Sequence, residues 1–146
     1  MAETYDALKL ENQLCFPLYA CAKEVVRKYK PYLDKLDLTY TQYITMMVLW
    51  EYGKMNVKEL GKYLFLDSGT LTPVLKTLEQ KKFITRTRDG NDERVLDVSA
   101  TAEGMQLREE AADIPVQMGK CINLSRDEAK SLYALLYKIL AADGKD

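Results

Sequence analysis

A mainly α protein with a small β-hairpin, built as a winged helix-turn-helix between long N- and C-terminal helices, is the fold class this sequence predicts. Three observations predict it. Two short amphipathic segments, 56–64 and 66–80, are joined by a tight turn. An alternating Thr/Arg run, turn chemistry and a β-branched run follow directly over 83–98. Long helical stretches on either side carry apolar stripes that so small a body cannot bury.

The second amphipathic segment, L-D-S-G-T-L-T-P-V-L-K-T-L-E-Q, sets the theme. Leu71, Leu75 and Leu78 fall at i, i+4 and i+7, with Val74 beside them, so they share one helix face. Ser68, Gly69, Thr72, Pro73, Lys76 and Gln80 point the other way, with Thr70 and Thr77 at the margin. That outer face is small, hydroxyl-bearing and cationic, which suits a helix in a DNA major groove. Its start is open: Ser68 could be the N-cap, or Thr72 with Pro73 at the first helical position.

The 146 residues are 47% hydrophobic, enough for one domain with a real core. No apolar run approaches the ~20 residues that span a bilayer, and M-A-E-T-Y-D lacks a signal peptide's basic and apolar regions, so a cytoplasmic protein without a membrane partner is expected. Cys15, Cys21 and Cys121 are too scattered for a disulfide framework. With no histidine and no C-x-x-C pair, His-based acid/base chemistry and most zinc sites are excluded; neither a metal nor a cofactor is expected. Net charge is −1, but its distribution is uneven. Residues 54–88 hold Lys54, Lys58, Lys62, Lys76, Lys81, Lys82, Arg86 and Arg88 against Glu59, Asp67 and Glu79. A local positive patch on a neutral body is the footprint of a specific reader of double-stranded DNA.

In chain order, the spacing of Leu10, Leu14, Leu18, Val25 and Tyr29 predicts a helix over 7–30, broken by Pro31, with a short piece from Tyr32 to Leu36. Thr39 or Thr41 can cap the next helix, Gln42–Glu51. It is apolar nearly all round and should be the central packing element, stopped by Gly53. Asn56-Val57-Lys58-Glu59 is a capping-box pattern that opens the helix carrying Val57, Leu60 and Leu64 inward. Behind the second amphipathic helix, 83–88 and 95–98 form a hairpin around Asp89-Gly90-Asn91-Asp92, a wing carrying Arg86, Arg88 and Arg94. An Arg at a wing tip suits a minor groove, and Asp92 can hold Arg94 extended. Residues 101–122 read as a helix kinked at Pro115, and Ser125-x-x-Glu128 opens a last one with Ala129, Leu132, Tyr133, Leu136, Ile139 and Leu140 inward. The whole, 1–146, reads as one domain, with 38–100 binding DNA. The helices of 7–36 and 101–142 would make a homodimer with two recognition helices one DNA turn apart over a pseudo-palindrome.

These elements resemble the MarR family of dimeric winged-helix regulators. Cys15-Phe16, L-T-Y-T-Q-Y at 38–43, L-D-S-G-T-L-T-P-V-L-K at 66–76 and D-E-R at 92–94 narrow the resemblance to the organic hydroperoxide resistance repressors (OhrR). The resemblance spans roughly 7–140. It implies a repressor that holds DNA when reduced and releases it when organic hydroperoxides oxidise Cys15. The thiol would be hydrogen-bonded by Tyr29 and Tyr40 of the partner subunit, with Tyr19 nearby. Fourteen residues put Cys15 and Tyr29 about 21 Å apart on one helix, which fits contact between chains and not within one. Donors aimed at sulfur stabilise a thiolate without a histidine. Some members resolve the sulfenic acid with a small thiol, others with a second cysteine; Cys121 stands about where such a residue would be. Cys21, roughly 240° around the helix from Cys15, reads as buried filler.

The DNA contacts expected are thus Ser68, Gly69, Thr70, Thr72, Pro73, Lys76, Arg86, Arg88, Asp92 and Arg94. Two competing readings remain. One is a MarR-type regulator released by a phenolic or drug-like ligand, with Cys15 inert. The other is a thiol peroxidase, against which stand the DNA-binding pattern and the lack of an Arg or His beside Cys15.

Overall fold

The computed structural model describes residues 2–92 and 94–143; Glu93, the middle of D-E-R, lies outside them. The chain divides into two compact units at Ile114/Pro115.

The first helix departs from expectation at both ends. Short 3-10 turns, Ala2–Leu8 and Leu10–Asn12, precede it, and α1 is Cys15–Asp34, continuous through Pro31. The amides of Asn12 and Gln13 close the earlier turn by donating to the Asp6, Ala7 and Lys9 carbonyls. Pro17 then falls in the first turn of α1, where a missing N–H costs nothing. Pro31 sits one turn from the end and forfeits a single backbone bond. Leu33, Leu36 and Leu38 are buried just beyond it and hold the last turn in place.

α2 (Tyr40–Tyr52) is the central element, as its composition demands. Thr39, not Thr41, caps it in a full capping box with Gln42. Tyr43, Thr45, Met46 and Leu49 are buried along it, although Met47 faces outward. Gly53 ends the helix at φ 80, a conformation glycine adopts freely. A short strand that the sequence did not announce, β1 (Lys54–Asn56), leads into α3 (Val57–Leu64). The Asn56 side chain accepts from the Glu59 N–H and donates to its carboxylate, both at 2.8 Å.

The turn out of α3 is tight. Phe65 takes the left-handed conformation, and the Leu66 N–H returns to the Gly61 carbonyl at 3.0 Å. A Cβ on Gly61 would come within 2.7 Å of the Leu66 carbonyl oxygen, so this turn requires a glycine there. α4 (Ser68–Gln80) follows. Its cap is Asp67, whose carboxylate accepts from the Thr70 N–H at 2.7 Å; neither Ser68 nor Thr72 holds that place. Pro73 is inside the helix, and the Thr72 hydroxyl donates back to the Ser68 carbonyl.

β2 (Ile84–Arg88) and β3 (Leu96–Ala100) form the hairpin, and β1 adds to the far side of β3, giving an antiparallel sheet of order β1-β3-β2. Met55 opposite Val98 sets the register of the short strand, with both buried. α5 (Ala102–Ala111) is capped by Thr101. Gly104 lets it press against the Phe83 carbonyl, and the Trp50 indole N–H donates to the Gly104 carbonyl at 2.8 Å. The expected helix over 101–122 is two helices. α6 (Ile114–Cys121) starts afresh at Ile114, with Pro115 in its first turn, where a proline is tolerated as it is not in a helix interior. In the second unit, Ser125 and Glu128 make the expected reciprocal cap on α7 (Arg126–Asp143). No helix among the described residues is long and apolar enough to cross a membrane.

Candidate DNA interface and thiol site

The two faces of α4 separate as its spacing requires. Leu71, Leu75 and Leu78 are buried to within 1% of their surface. Ser68, Gly69, Thr70, Thr72, Pro73, Lys76 and Gln80 are all exposed. The inward leucines thus fix the helix, and its hydroxyl-bearing face with Lys76 is left exposed to solvent.

The hairpin loop is internally braced. The Asn91 N–H donates to the Asp89 carboxylate, the Asp89 N–H to the Val95 carbonyl, and the Val95 N–H to the Asp92 carbonyl. Asp92 holds Arg94 as expected: its carboxylate accepts from the Arg94 backbone N–H at 3.0 Å and from the guanidinium at 3.1 and 3.2 Å. Those bonds keep the Asp92 carboxyl below its ordinary range. Arg94 itself remains 91% exposed, a cation presented outward on a fixed stem. Arg88, at the end of β2, is exposed as well. Arg86 differs. Its guanidinium lies on Glu79 of α4 at 2.9 and 3.2 Å, and only about a fifth of the side chain is exposed.

The sulfur chemistry is spread over three places. Cys15 is the first residue of α1 and is exposed. Tyr19, one turn on, is exposed too, with the Lys23 ammonium 5.2 Å above its ring. Tyr29 and Tyr40 come together at the other end of α1, ring centroids 4.9 Å apart. They pack on Tyr43, which meets Trp50 edge-on at 6.3 Å. Burial pushes the Tyr29 phenol up; burial first, then the proximity of Tyr29 and Tyr40, pushes Tyr43 up to about 12. The Tyr29 and Tyr43 phenols therefore stay protonated hydrogen-bond donors at neutral pH. The fourteen residues separating Cys15 from Tyr29 on one straight helix keep the thiol away from this cluster within a chain. Cys121 ends α6, exposed, with its thiol directed at the Gln117 carbonyl at 3.5 Å. Cys21 is exposed in the single chain and not the buried filler expected of it.

Two residues of this region escaped the sequence reading. Tyr43 is the platform under Tyr29 and Tyr40; its place in an apolar helix marked it only as core. Glu79 holds Arg86; one ends a helix and the other lies in the strand after the turn, so neither helix nor strand periodicity pairs them.

Comparison with known proteins follows the same lines. The family described as transcriptional regulator SarA/Rot matches residues 27–111. The organic hydroperoxide resistance transcriptional regulator of Bacillus subtilis is 48% identical over 143 residues, covering 96% of this chain and 95% of the relative. Among solved structures, reduced AbfR bound to DNA superposes with a TM-score of 0.79 at 32% identity, covering 97% of this chain and 99% of that one. The disulfide form of AbfR, a protein of Staphylococcus epidermidis, gives 0.64 at 31% identity over 97% and 96% of the two chains. The chain therefore belongs to the MarR/SarA-type family of winged-helix, DNA-binding transcriptional regulators.

Proposed function

We propose that this regulator is a repressor that senses organic hydroperoxides through Cys15 and then releases its operator. The observation that carries the reading is the pairing of an exposed thiol at the start of α1 with two packed phenols at its far end. An antiparallel crossing of two copies would bring the thiol of one chain to the phenols of the other. MarR-family regulators act on DNA as dimers. Leu14 at 81% exposure and Leu18 at 41% are the apolar surface that a second copy would cover. The relatives support the same reading: one is named for organic hydroperoxide resistance, and another has been solved both reduced on DNA and as a disulfide.

In the reaction, the Cys15 thiolate attacks the distal oxygen of ROOH. The O–O bond breaks, the alcohol ROH leaves after taking up a proton, and the sulfur becomes a sulfenic acid. Tyr29 and Tyr40 of the partner subunit donate to the thiolate and hold it for attack. A second thiol condenses with the sulfenic acid, forming the S–S bond and releasing water; Cys121 of the partner subunit is the candidate. That bond would then change the spacing of the two recognition helices. Ser68, Gly69, Thr70, Thr72, Pro73 and Lys76 would read the major groove, while Arg88 and Arg94, braced by Asp92, would enter the minor groove.

The test is binding to a duplex selected in vitro, before and after cumene hydroperoxide. Wild type should release DNA and Cys15→Ser should stay bound. Release of Cys15→Ser to the same extent would overturn the reading, and release by a phenolic ligand under reducing conditions would favour the non-covalent alternative. Non-reducing electrophoresis should show a crosslinked dimer that both Cys15→Ser and Cys121→Ser abolish.

A further inference from the structure

The Glu79 carboxylate sits at the end of the recognition helix, where a negative charge near DNA is costly. Everything else about it indicates a purpose other than solvation. One of its oxygens accepts two bonds from the Arg86 guanidinium, at 2.9 and 3.2 Å. The other accepts from the Arg86 backbone N–H at 3.3 Å. The carboxylate therefore grips both the side chain and the strand backbone of β2, and the Arg86 bonds keep its pKa low. Such a fork over a carboxylate fixes direction as well as distance. Arg86 is partly covered, in contrast to Arg88 and Arg94.

We infer that Glu79 and Arg86 are positioning residues, a strut that sets the angle between α4 and the wing so that both reach their grooves at once. Arg86 acts through the wing and not by touching phosphate. The inference needs only DNA binding and is independent of the thiol chemistry.

Electrostatics and the strut predict opposite signs. Removing a carboxylate beside DNA should raise affinity if charge alone matters. The strut requires Glu79→Gln to lower it, on the order of tenfold, because glutamine keeps the shape but cannot accept from both donors at both positions. Arg86→Ala should lower affinity by a similar factor and leave the slope of log K against log salt unchanged. Arg94→Ala, a direct contact, should flatten that slope by roughly one. The double variant Glu79→Gln/Arg86→Ala should bind no worse than either single one, since both remove the same strut. Thermal melts of each variant separate lost geometry from lost fold: the affinity loss should persist at temperatures where the variant is fully folded. Tighter or unchanged binding by Glu79→Gln, or a slope flattened equally by Arg86→Ala and Arg94→Ala, would overturn the inference.

Discussion

The winged-helix region and the first and last helices solve the same problem differently. α4 buries every leucine of its inner stripe within the chain, and so do Leu60 of α3 and Val98 of β3. Leu14, just before α1, and Phe16 and Leu18 within it are left in solvent, as are Leu132, Leu135 and Ile139 of α7. One region is finished as a single chain and the others are not. The core of the winged-helix region is complete within one chain, whereas the first and last helices keep apolar faces that a second copy of the chain can cover.

The largest expected effect tests the finished half. Leu75→Ala should cost about 2–5 kcal/mol, and by the same amount at every protein concentration. Leu18→Asp should instead weaken association, and its melting temperature should depend on concentration. A Leu75→Ala penalty that varied with concentration would break the distinction. Next in size is Gly61→Ala. The added methyl meets a backbone oxygen, not a flexible side chain, so the turn between α3 and α4 must open. A loss of about 1–3 kcal/mol by denaturant titration, with weaker DNA binding, is expected; an unchanged midpoint would mean that the turn is looser than it looks. The smallest effect lies at the α4 cap. The Asp67 carboxyl is held below its ordinary value of 3.8, chiefly by the Thr70 N–H. A lowered folded pKa gives stability that is present above the ordinary value and lost as pH falls through the folded one. Asp67→Asn keeps a capping oxygen and should melt alike at neutral pH, with a shallower decline below about pH 4. An identical acid profile would remove Asp67 from the cap.

What the sequence made legible follows from how local each signal is. The inward leucines of α4, the Asn56 and Ser125 caps and the Asp92–Arg94 brace all lie within a few residues of their partners. The cap of α4 did not separate itself because Asp67, Ser68, Thr70 and Thr72 are all able to cap. β1 is too short to alternate and is a strand only because β3 pairs with it. Pro31 looked like a stop because the anchor beyond it, Leu33 with Leu36, is a matter of packing. For the candidate thiol site, Cys15, Tyr29 and Tyr40 were proposed through family likeness, whereas the contacts of Tyr43 with the two rings and of Glu79 with Arg86 exist only in the folded chain.

The indole of Trp50 gives the molecule a built-in optical gauge. It is the chain's one tryptophan, hydrogen-bonded to α5 and 6.3 Å from the Tyr43 ring. Excited tyrosines of the Tyr29–Tyr40–Tyr43 group lie close enough to hand their energy to it. Its emission thus watches the junction between the phenol cluster and the DNA-binding region, with no label attached.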